Sequence, residues 1–354
     1  WEKHMDHNQI SPARAKQYVQ EVFAKLGMSH EDTLIAAEYI VRADLVGADG
    51  HGLFRMPQYV QRFLQGGMNI HAKIKTIKDS GPMALLDGDN GLGHLVMVRS
   101  TELAIKKAKE FGIGWVGSNN GNHSGAGAHY VNRIADEGLV GIYLAVGSAN
   151  HMAPTGGSSR LLSTNPIAFG VPAGPGKPHV ILDMATTVTA FGKIKVKAQK
   201  NEAMPVGWMI DQQGQPITDP KKASEGTLLP IGDHKGYGLA LMIGMLAGCM
   251  NGGAMGSNVV DFNKDSSTVT NTGQTMIAIN PDFFMGQDYF LTEVGRVVDE
   301  LHASKTLPGV DRIRVPGEGA KATEEKRSQE GIPLAPELRA ALNECAQSLG
   351  VSTI

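Results

Sequence analysis

The sequence has few cysteines, little excess charge and no long apolar run, and each absence excludes a class of protein. Two cysteines in 354 residues, Cys249 and Cys345, cannot form a disulfide framework and are typical of a reducing compartment. The 33 basic residues nearly balance the 35 acidic ones, so no nucleic-acid partner is expected. No signal peptide is recognised, and the longest apolar stretch, 238–250, is interrupted by glycines and too short to span a bilayer. We therefore predict a cytoplasmic protein without a membrane partner.

Glycine, in contrast, is abundant, and the apolar pattern changes twice along the chain. The 44 glycines favour many tight turns over a simple helical bundle. Capping signals at Ser11 and Ser29, each followed by an apolar helical face, predict a helical N-terminal unit over 8–70. Short strands alternate with helices over 71–285, and 286–354 returns to helix. These patterns predict an α/β (α+β-like) fold in which the C-terminal helices pack back on the N-terminal unit.

A histidine stands between two glycines in the segment 49–57, and an arginine follows it by four residues. Glycines let a ligand approach the backbone, a histidine exchanges protons near neutral pH, and an arginine grips a planar carboxylate. His51 and Arg55 therefore indicate an enzyme that moves a proton on a carboxylate-bearing substrate. The segment alone is equally compatible with a turn in which both side chains are solvated.

A second histidine-rich loop, 118–130, follows a predicted strand and leads into a helix, where open-sheet proteins bind ligands. His123 lies at the mouth of this loop and is interpreted as functional. His129 falls in the helix and is expected to pack or to form hydrogen bonds. Asp183 ends a buried-looking strand, where its carboxylate could orient a histidine, hold a ribose hydroxyl or cap the next helix.

Three further loops are weaker candidates for a binding site. Residues 162–166 supply short polar side chains and a proline turn before a strand. Residues 233–238 and 317–321 combine glycines with a cationic side chain, which makes them plausible cradles for a phosphate or a carboxylate. The G-x-G-x-x-G pattern at 112–117 follows a helix and runs into a strand, which reverses the Rossmann order. We interpret Gly112 as a helix C-cap instead. No H-x-x-x-H or H-E-x-x-H motif occurs, so no metal site is predicted.

The candidate segments together resemble one family. In chain order they are 49–57, 122–125, 164–170, 182–187, 192–194, 233–238 and 314–318. In these segments, and from about Ile10 onward, the chain resembles the type-2 malate/L-lactate dehydrogenase family, NAD(P)-dependent oxidoreductases that lack the Rossmann fold. One departure is Gly50, where the family usually has a serine or threonine. A hydroxyl that could orient His51 or touch the cofactor is therefore missing.

The resemblance implies a homodimer with a helical N-terminal part and a large domain that binds NAD or NADP around a mixed sheet. The domain boundaries then become 8–70 for the helical unit, 71–285 for the cofactor domain and 286–354 for the returning segment. The cofactor contacts that it implies are Thr164, Asn165, Pro166, Asp183, Met184, Ala185, Thr186, His234, Lys235, Gly317, Glu318 and Gly319. Family members act on malate, lactate, sulfolactate, ureidoglycolate, diketogulonate and cyclic imino acids, so the expected partner is a small carboxylate.

The predicted activity is reversible hydride transfer between NAD(P)H and a small 2-oxo or 2-hydroxy acid. Arg55 and Ser148 are predicted to bind the substrate. His51 or His123 is predicted to act as acid/base, and Asp183 to orient a histidine and favour its protonated form. Three alternatives stay open: an imine reductase with the same apparatus, a non-catalytic binding protein and a metal hydrolase.

Overall fold

The computed structural model describes residues 8–199 and 201–354, so residues 1–7 lie outside it. The α-helices are α1 (Pro12–Leu26), α2 (His30–Leu45), α3 (Met56–Leu64), α4 (Gly93–Phe111), α5 (Ala128–Ala135), α6 (Phe191–Gln199), α7 (His234–Ala247), α8 (Gln287–Ala303), α9 (Glu318–Glu330) and α10 (Pro336–Leu349). The strands are β1 (Gln9–Ile10), β2 (Lys75–Ser80), β3 (Met83–Asp87), β4 (Ile113–Gly121), β5 (Val140–Ala145), β6 (Ile167–Val171), β7 (Val180–Met184), β8 (Met209–Ile210), β9 (Thr227–Leu228), β10 (Thr272–Ile279) and β11 (Ile332–Pro333). No helix within the described ranges is long and apolar enough to cross a membrane.

The N-terminal helices and the C-terminal helix share one core. The side chains of Ser11 and Ser29 cap the first turns of α1 and α2, and Gly27 ends α1 with a φ of 102° that favours glycine. The apolar faces of α1, α2 and α3 pack together with α10. Within this core the buried hydroxyl of Tyr18 donates to the carbonyl oxygen of Leu342 at 2.7 Å. Strand β1, at the start of the described chain, lies antiparallel to β11, which directly precedes α10.

The central sheet has seven strands in the order β2-β3-β4-β10-β5-β6-β7. Strands β3 and β4 run parallel, and the other neighbouring pairs run antiparallel. The predicted mixed, non-Rossmann sheet is therefore confirmed. Strand β10 enters between β4 and β5, which are closer to each other in sequence than either is to β10.

Helices cover both faces of this sheet. Tyr143 and Ala145 of β5 belong to the core formed with α4 and α5, whereas Leu144 packs with Ile243 and Ala247 of α7. Because successive side chains of a strand point to opposite faces, the sheet is the middle layer of three. The strand ends at one edge of this layer are therefore free to line a cleft.

Two local features show where sequence patterns succeed and fail. Gly112 ends α4 with a φ of 83°, and β4 begins at the next residue, so the C-cap interpretation is confirmed. The sequence predicts a loop at 317–321, whereas α9 begins at Glu318. None of the residues of α9 is buried, so the helix lacks the apolar periodicity that would indicate it. Helices α9 and α10 contact the N-terminal helices. Helix α8 contacts the segment between β6 and β7, where Nζ of Lys177 donates to the carbonyl oxygen of Gly295 at 2.9 Å.

Candidate active site

A cleft of about 750 Å³ lies between the N-terminal helical unit and the sheet. Its lining comes from the turn after α2, the loop after β4, the ends of β5 and β10, and the segments after β7 and before α9. His51, Arg55, His123, Ser148 and Asp183, which the sequence nominates for chemistry and substrate binding, all line it. The fold therefore brings these five side chains from four separate segments to one site.

The turn that carries His51 is held from behind by a buried carboxyl group. Oδ2 of Asp44 accepts a hydrogen bond from the N–H of Leu53 at 2.8 Å, and a Cβ atom added to Gly52 would overlap this carboxyl group. Burial raises the pKa of Asp44 to about 8. Arg327 of α9 donates to the backbone carbonyl oxygen of Asp44. The backbone next to His51 is therefore fixed by the protein itself, which is what a preorganised site requires.

His51 and His123 form a hydrogen-bonded pair. Nδ1 of His51 lies 3.3 Å from Nε2 of His123, and the ring planes are within 9° of parallel. Oη of Tyr59 lies 2.6 Å from Nδ1 of His123, so both ring nitrogens of His123 are engaged. Nε2 of His51 has no hydrogen-bond partner among residues 8–199 and 201–354. His51 is therefore the member of the pair whose ring can bind a ligand in the cleft.

The surroundings keep both imidazoles neutral. Burial, and then the charge of Arg55, lower the pKa of His51 to about 4. The pKa of His123 is well below its usual value, first because of burial and then because of the charge of Arg55. A bound carboxylate would offset the charge of Arg55 and would raise the pKa of His51. The protonation state of the pair is thus coupled to the occupation of the site.

Arg55 is oriented by neighbours on both walls of the cleft. Its Nη1 donates to Oε1 of Gln58 and to Oδ1 of Asn263, each at 3.0 Å, and its Nε donates to the carbonyl oxygen of Gly50 at 2.9 Å. The residue before Asn263 donates its N–H to the carbonyl oxygen of Ser148 at 2.9 Å. The arginine therefore joins the His51 turn to the loop after β5, and its planar fork is held where a carboxylate can bind.

A polar floor supports the loop of His123. Oγ of Ser124 lies 2.9 Å from Oη of Tyr143, and Nε2 of Gln274 donates to the same Oγ at 2.8 Å. Nε2 of Gln274 also donates to the carbonyl oxygen of Asn122 at 3.3 Å. Because Asn122, Ser124 and Gln274 are all buried, the backbone on both sides of His123 is immobilised.

The side chain of Asp183 lines the cleft but forms its hydrogen bond with a helix and not with a histidine. Its Oδ2 accepts a hydrogen bond from the N–H of Ala128 at 2.9 Å, at the start of α5. Loss of hydration among the surrounding protein groups raises the pKa of its carboxyl group. Asp183 thus caps α5, which precedes it in the chain, and not the next helix, as the sequence suggested. No hydrogen bond joins Asp183 to a histidine in the described part of the chain. The histidines are oriented by each other and by Tyr59.

The residues predicted to hold a cofactor divide into three groups. Those that line the cleft are Thr164, Pro166, Asp183, Met184, Ala185 and Gly317. Asn165 and Thr186 lie behind this wall, where Nδ2 of Asn165 donates to the carbonyl oxygen of Ala240 at 2.8 Å and Oγ1 of Thr186 donates to that of Thr164 at 2.9 Å. These two residues support the wall from behind.

The third group lies outside the lining. His234 and Lys235 are exposed at the start of α7. Glu318 and Gly319 are in the first turn of α9, where Oε1 of Glu318 lies 2.7 Å from Nε2 of His302. Cofactor contact by these four residues stays a prediction.

Sequence patterns missed several side chains that shape the site. Tyr59 follows Arg55 by four residues at the start of α3, and this helical spacing, which places two side chains on one face, could have indicated it. Asn263 and Gln274 lie in segments remote from His51, and no local pattern marks them. Lys193 was not missed, because it belongs to the family-like segment 192–194; it lines the far part of the cleft and is exposed.

Comparison with known proteins places this site in a family. Residues 10–343 match the family model for malate/L-lactate dehydrogenase. The chain is 37% identical to a malate dehydrogenase of Pyrococcus horikoshii over 98% of both chains, and 33% identical to the NAD(+) ureidoglycolate dehydrogenase of Escherichia coli over 93% of both. The solved structure of a Methanocaldococcus jannaschii sulfolactate dehydrogenase superposes with a TM-score of 0.91 at 38% identity, covering 98% of both chains. The resemblance drawn from the motifs is thus confirmed, and the chain belongs to the malate/L-lactate dehydrogenase family.

Proposed function

We propose that this protein is an NAD(P)-dependent dehydrogenase of a small 2-hydroxy acid, which transfers hydride reversibly between the cofactor and C2 of the acid. One observation carries the proposal: Nε2 of His51, a ring nitrogen without a partner among the described residues, shares a cleft with the oriented guanidinium of Arg55. A 2-oxo acid offers a carbonyl oxygen and an adjacent carboxylate, which match these two groups. The relatives named for malate, sulfolactate and ureidoglycolate support the same class.

The cleft fits an extended, anionic dinucleotide. Much of its wall is glycine and alanine, which allow a ligand to approach the backbone closely. Asp183 is the single acidic side chain in the described lining, while Arg55 and Lys193 supply positive charge. The lining residues Thr164, Met184, Ala185 and Gly317 would hold the cofactor. When bound, it supplies or accepts the hydride at C4 of its nicotinamide.

Arg55 and His51 divide the work on the substrate. Arg55 binds the carboxylate and fixes which face of C2 is presented. Nε2 of His51 gives a proton to the carbonyl oxygen during reduction, and takes the hydroxyl proton during oxidation. The imidazolium of His51 becomes neutral in the first case, and the neutral ring becomes imidazolium in the second. His123 acts through its hydrogen bond to Nδ1 of His51.

The charge of the substrate favours this proton transfer. In the ligand-free cleft the pKa of His51 is about 4, so the ring is neutral. Binding of the substrate carboxylate to Arg55 removes one of the two causes of the lowered pKa. The bound oxo acid thus promotes formation of the imidazolium that protonates it.

Nicotinamide absorbance tests the proposal. NADH and NADPH are each assayed against oxaloacetate, pyruvate, other 2-oxo acids and cyclic imino acids. Oxidation with any oxo acid supports the dehydrogenase and decides the cofactor. Turnover with imines alone would replace it with the imine reductase, and cofactor binding without turnover across a broad panel would favour a non-catalytic binding protein. A metal hydrolase would lose its activity when a chelator removes the metal, so the same panel with and without chelator tests that alternative.

We also propose that the active form is a homodimer. Helix α7 exposes Leu239, Met242 and Met245, with exposed fractions of 37–50%, although the helix is rich in apolar residues. Such a face is typical of an interface. Light scattering should give twice the chain mass, and Met242→Lys combined with Met245→Lys should give single chains. Val297→Lys, on an exposed apolar site of α8, is the matched control and should leave the mass unchanged.

A further inference from the structure

The hydroxyl of Tyr59 forms its hydrogen bond with the histidine pair. Its side chain is fully buried, and its ring lies edge-on against those of His94 and Phe262, with centroid distances of 5.8 and 6.0 Å. Its Oη lies 2.6 Å from Nδ1 of His123, which is the single hydrogen-bond partner of this hydroxyl in the described chain. The packing therefore fixes the tyrosine ring and aims its one polar atom at one nitrogen.

We propose that Tyr59 is a positioning residue that sets the tautomer of both histidines. It thereby determines whether Nε2 of His51 presents a hydrogen-bond donor or an acceptor to the cleft. A buried O–H needs an acceptor, and His123 Nδ1 is the one available, so Tyr59 donates and Nδ1 carries no hydrogen. Neutral His123 then carries its hydrogen on Nε2 and donates to Nδ1 of His51. His51 in turn carries its hydrogen on Nε2.

The resting site thus presents an N–H donor to the ligand. This donor matches the carbonyl oxygen of a 2-oxo acid, which accepts and cannot donate. The inference rests on the proposed function for the identity of the ligand, but the tautomers themselves do not depend on it. An additional proton on the pair reverses the bond to Tyr59, because a hydroxyl oxygen can also accept from N–H of His123. Once Nε2 of His51 has given up its proton, the neutral pair carries hydrogen on Nδ1 of both rings, and Tyr59 accepts from His123. This reversed tautomer is the one that can take the hydroxyl proton during oxidation, so Tyr59 supports both neutral tautomers and the protonated pair.

The charged and titratable groups around the pair lower the pKa values of its histidines. Arg55 faces both histidines from the His51 turn, and His94 faces His123 from α4 with a ring-centroid distance of 6.5 Å. Both lower the pKa of His123, after burial. The hydroxyl of Tyr59 opposes them in the protonated pair, because a hydrogen bond from a charged donor is stronger than one between neutral groups. Its removal should therefore shift the titration of the pair to lower pH.

The substitution Tyr59→Phe removes this single oxygen. We expect kcat to fall by about 10- to 10²-fold, less than the typical contribution of general acid/base catalysis because the histidines themselves remain, with unchanged KM for the cofactor. The apparent pKa in the pH profile of kcat should move to lower pH. A residue that acts only by packing would lower stability and leave the pH profile in place, and that result would overturn the proposal.

Tyr18→Phe is the matched control. Tyr18 is equally buried in the core of the same helical unit, and its hydroxyl also makes one hydrogen bond, to the carbonyl oxygen of Leu342. The two variants should lose similar thermal stability. Only Tyr59→Phe should change kcat and its pH profile. Equal kinetic losses in both variants would show a general structural effect and would also overturn the proposal.

Nitrogen NMR of the ligand-free protein separates this proposal from the enzymatic function. Histidine labelled with ¹⁵N reports which ring nitrogen carries hydrogen, and His51→Gln and His123→Gln assign the signals. We expect the Nε2–H tautomer at both positions in the native protein and a mixture at His123 in Tyr59→Phe. The Nδ1–H tautomer at His123 in the native protein would overturn the proposal, whatever substrates the enzyme accepts.

Discussion

Nδ1 of His51 and Nε2 of His123 lie 3.3 Å apart, although 72 residues separate them in the chain. The other ring nitrogen of His123 is engaged by Tyr59, whereas that of His51 faces the cleft. The pair is thus one unit with a single end directed at the ligand. Sequence patterns leave open which histidine is the acid/base, and this geometry favours His51 at the substrate with His123 behind it.

Substitutions in this pair should be non-additive. We expect His51→Ala to lower kcat by about 10²–10⁴-fold and His123→Ala by a smaller factor, with NAD(P)H still bound. The double variant should resemble His51→Ala, because residues that act as a unit do not contribute independently. Single-turnover rates and cofactor fluorescence provide the measurement, with exposed His30→Ala as control. Losses that multiply in the double variant would contradict the assignment.

The pH dependence should follow the lowered pKa of His51. Oxidation of the hydroxy acid needs the neutral ring, so its kcat/KM should stay level below neutral pH and fall as the pH drops through about 4. Reduction needs the protonated ring, so its kcat/KM should rise toward that pH. Arg55→Gln removes one cause of the lowered pKa of His51 and should move the pH-dependent part of both kcat/KM profiles to higher pH. A limb in the native enzyme near the ordinary histidine value of about 6.5 would contradict this origin.

Two glycines beside His51 should differ sharply in their tolerance of a methyl group. A Cβ atom at Gly52 would overlap the carboxyl group of Asp44, whereas one at Gly50 meets nothing within 4 Å. We expect Gly52→Ala to lower the free energy of unfolding by about 1–3 kcal/mol, as overpacking typically does. Gly50→Ala should stay within about 0.5 kcal/mol of the native protein. Urea unfolding compares the two variants. Equal stabilities would show that the side chain of Asp44 moves aside at little cost in free energy.

Arg55 should act on substrate binding more than on cofactor binding. Arg55→Lys keeps the charge but loses the planar fork and the bond to Asn263, so KM for the acid should rise about 10- to 10²-fold, as expected for one or two lost hydrogen bonds to a charged group. Asn263→Ala should raise KM less, since it only reorients the guanidinium. Initial-rate kinetics at saturating cofactor provide the test. A fall in kcat with unchanged KM in both variants would contradict the carboxylate role.

The parts of this molecule that could be predicted from sequence are those with a local signal. Ser11 and Ser29 mark helix starts, and His51 with Arg55 marks the loop that reaches the cleft. Helix α9 escaped because it buries no residue and so has no apolar stripe. Asn263 escaped because its role comes from a contact across 208 residues of chain. Such contacts depend on tertiary packing, which no pattern in a short window contains.

The central place of β10 bears on how the chain folds. Strands β4 and β5 each pair with β10, which follows them in sequence by more than a hundred residues. During synthesis each of these strands has an unpaired edge until β10 has been made. Such edges are prone to aggregation. Because distant pairings also slow folding, we expect a slow phase in which sheet closure at β10 completes the cleft. The chain would acquire its active site late, after most of the polypeptide has been made.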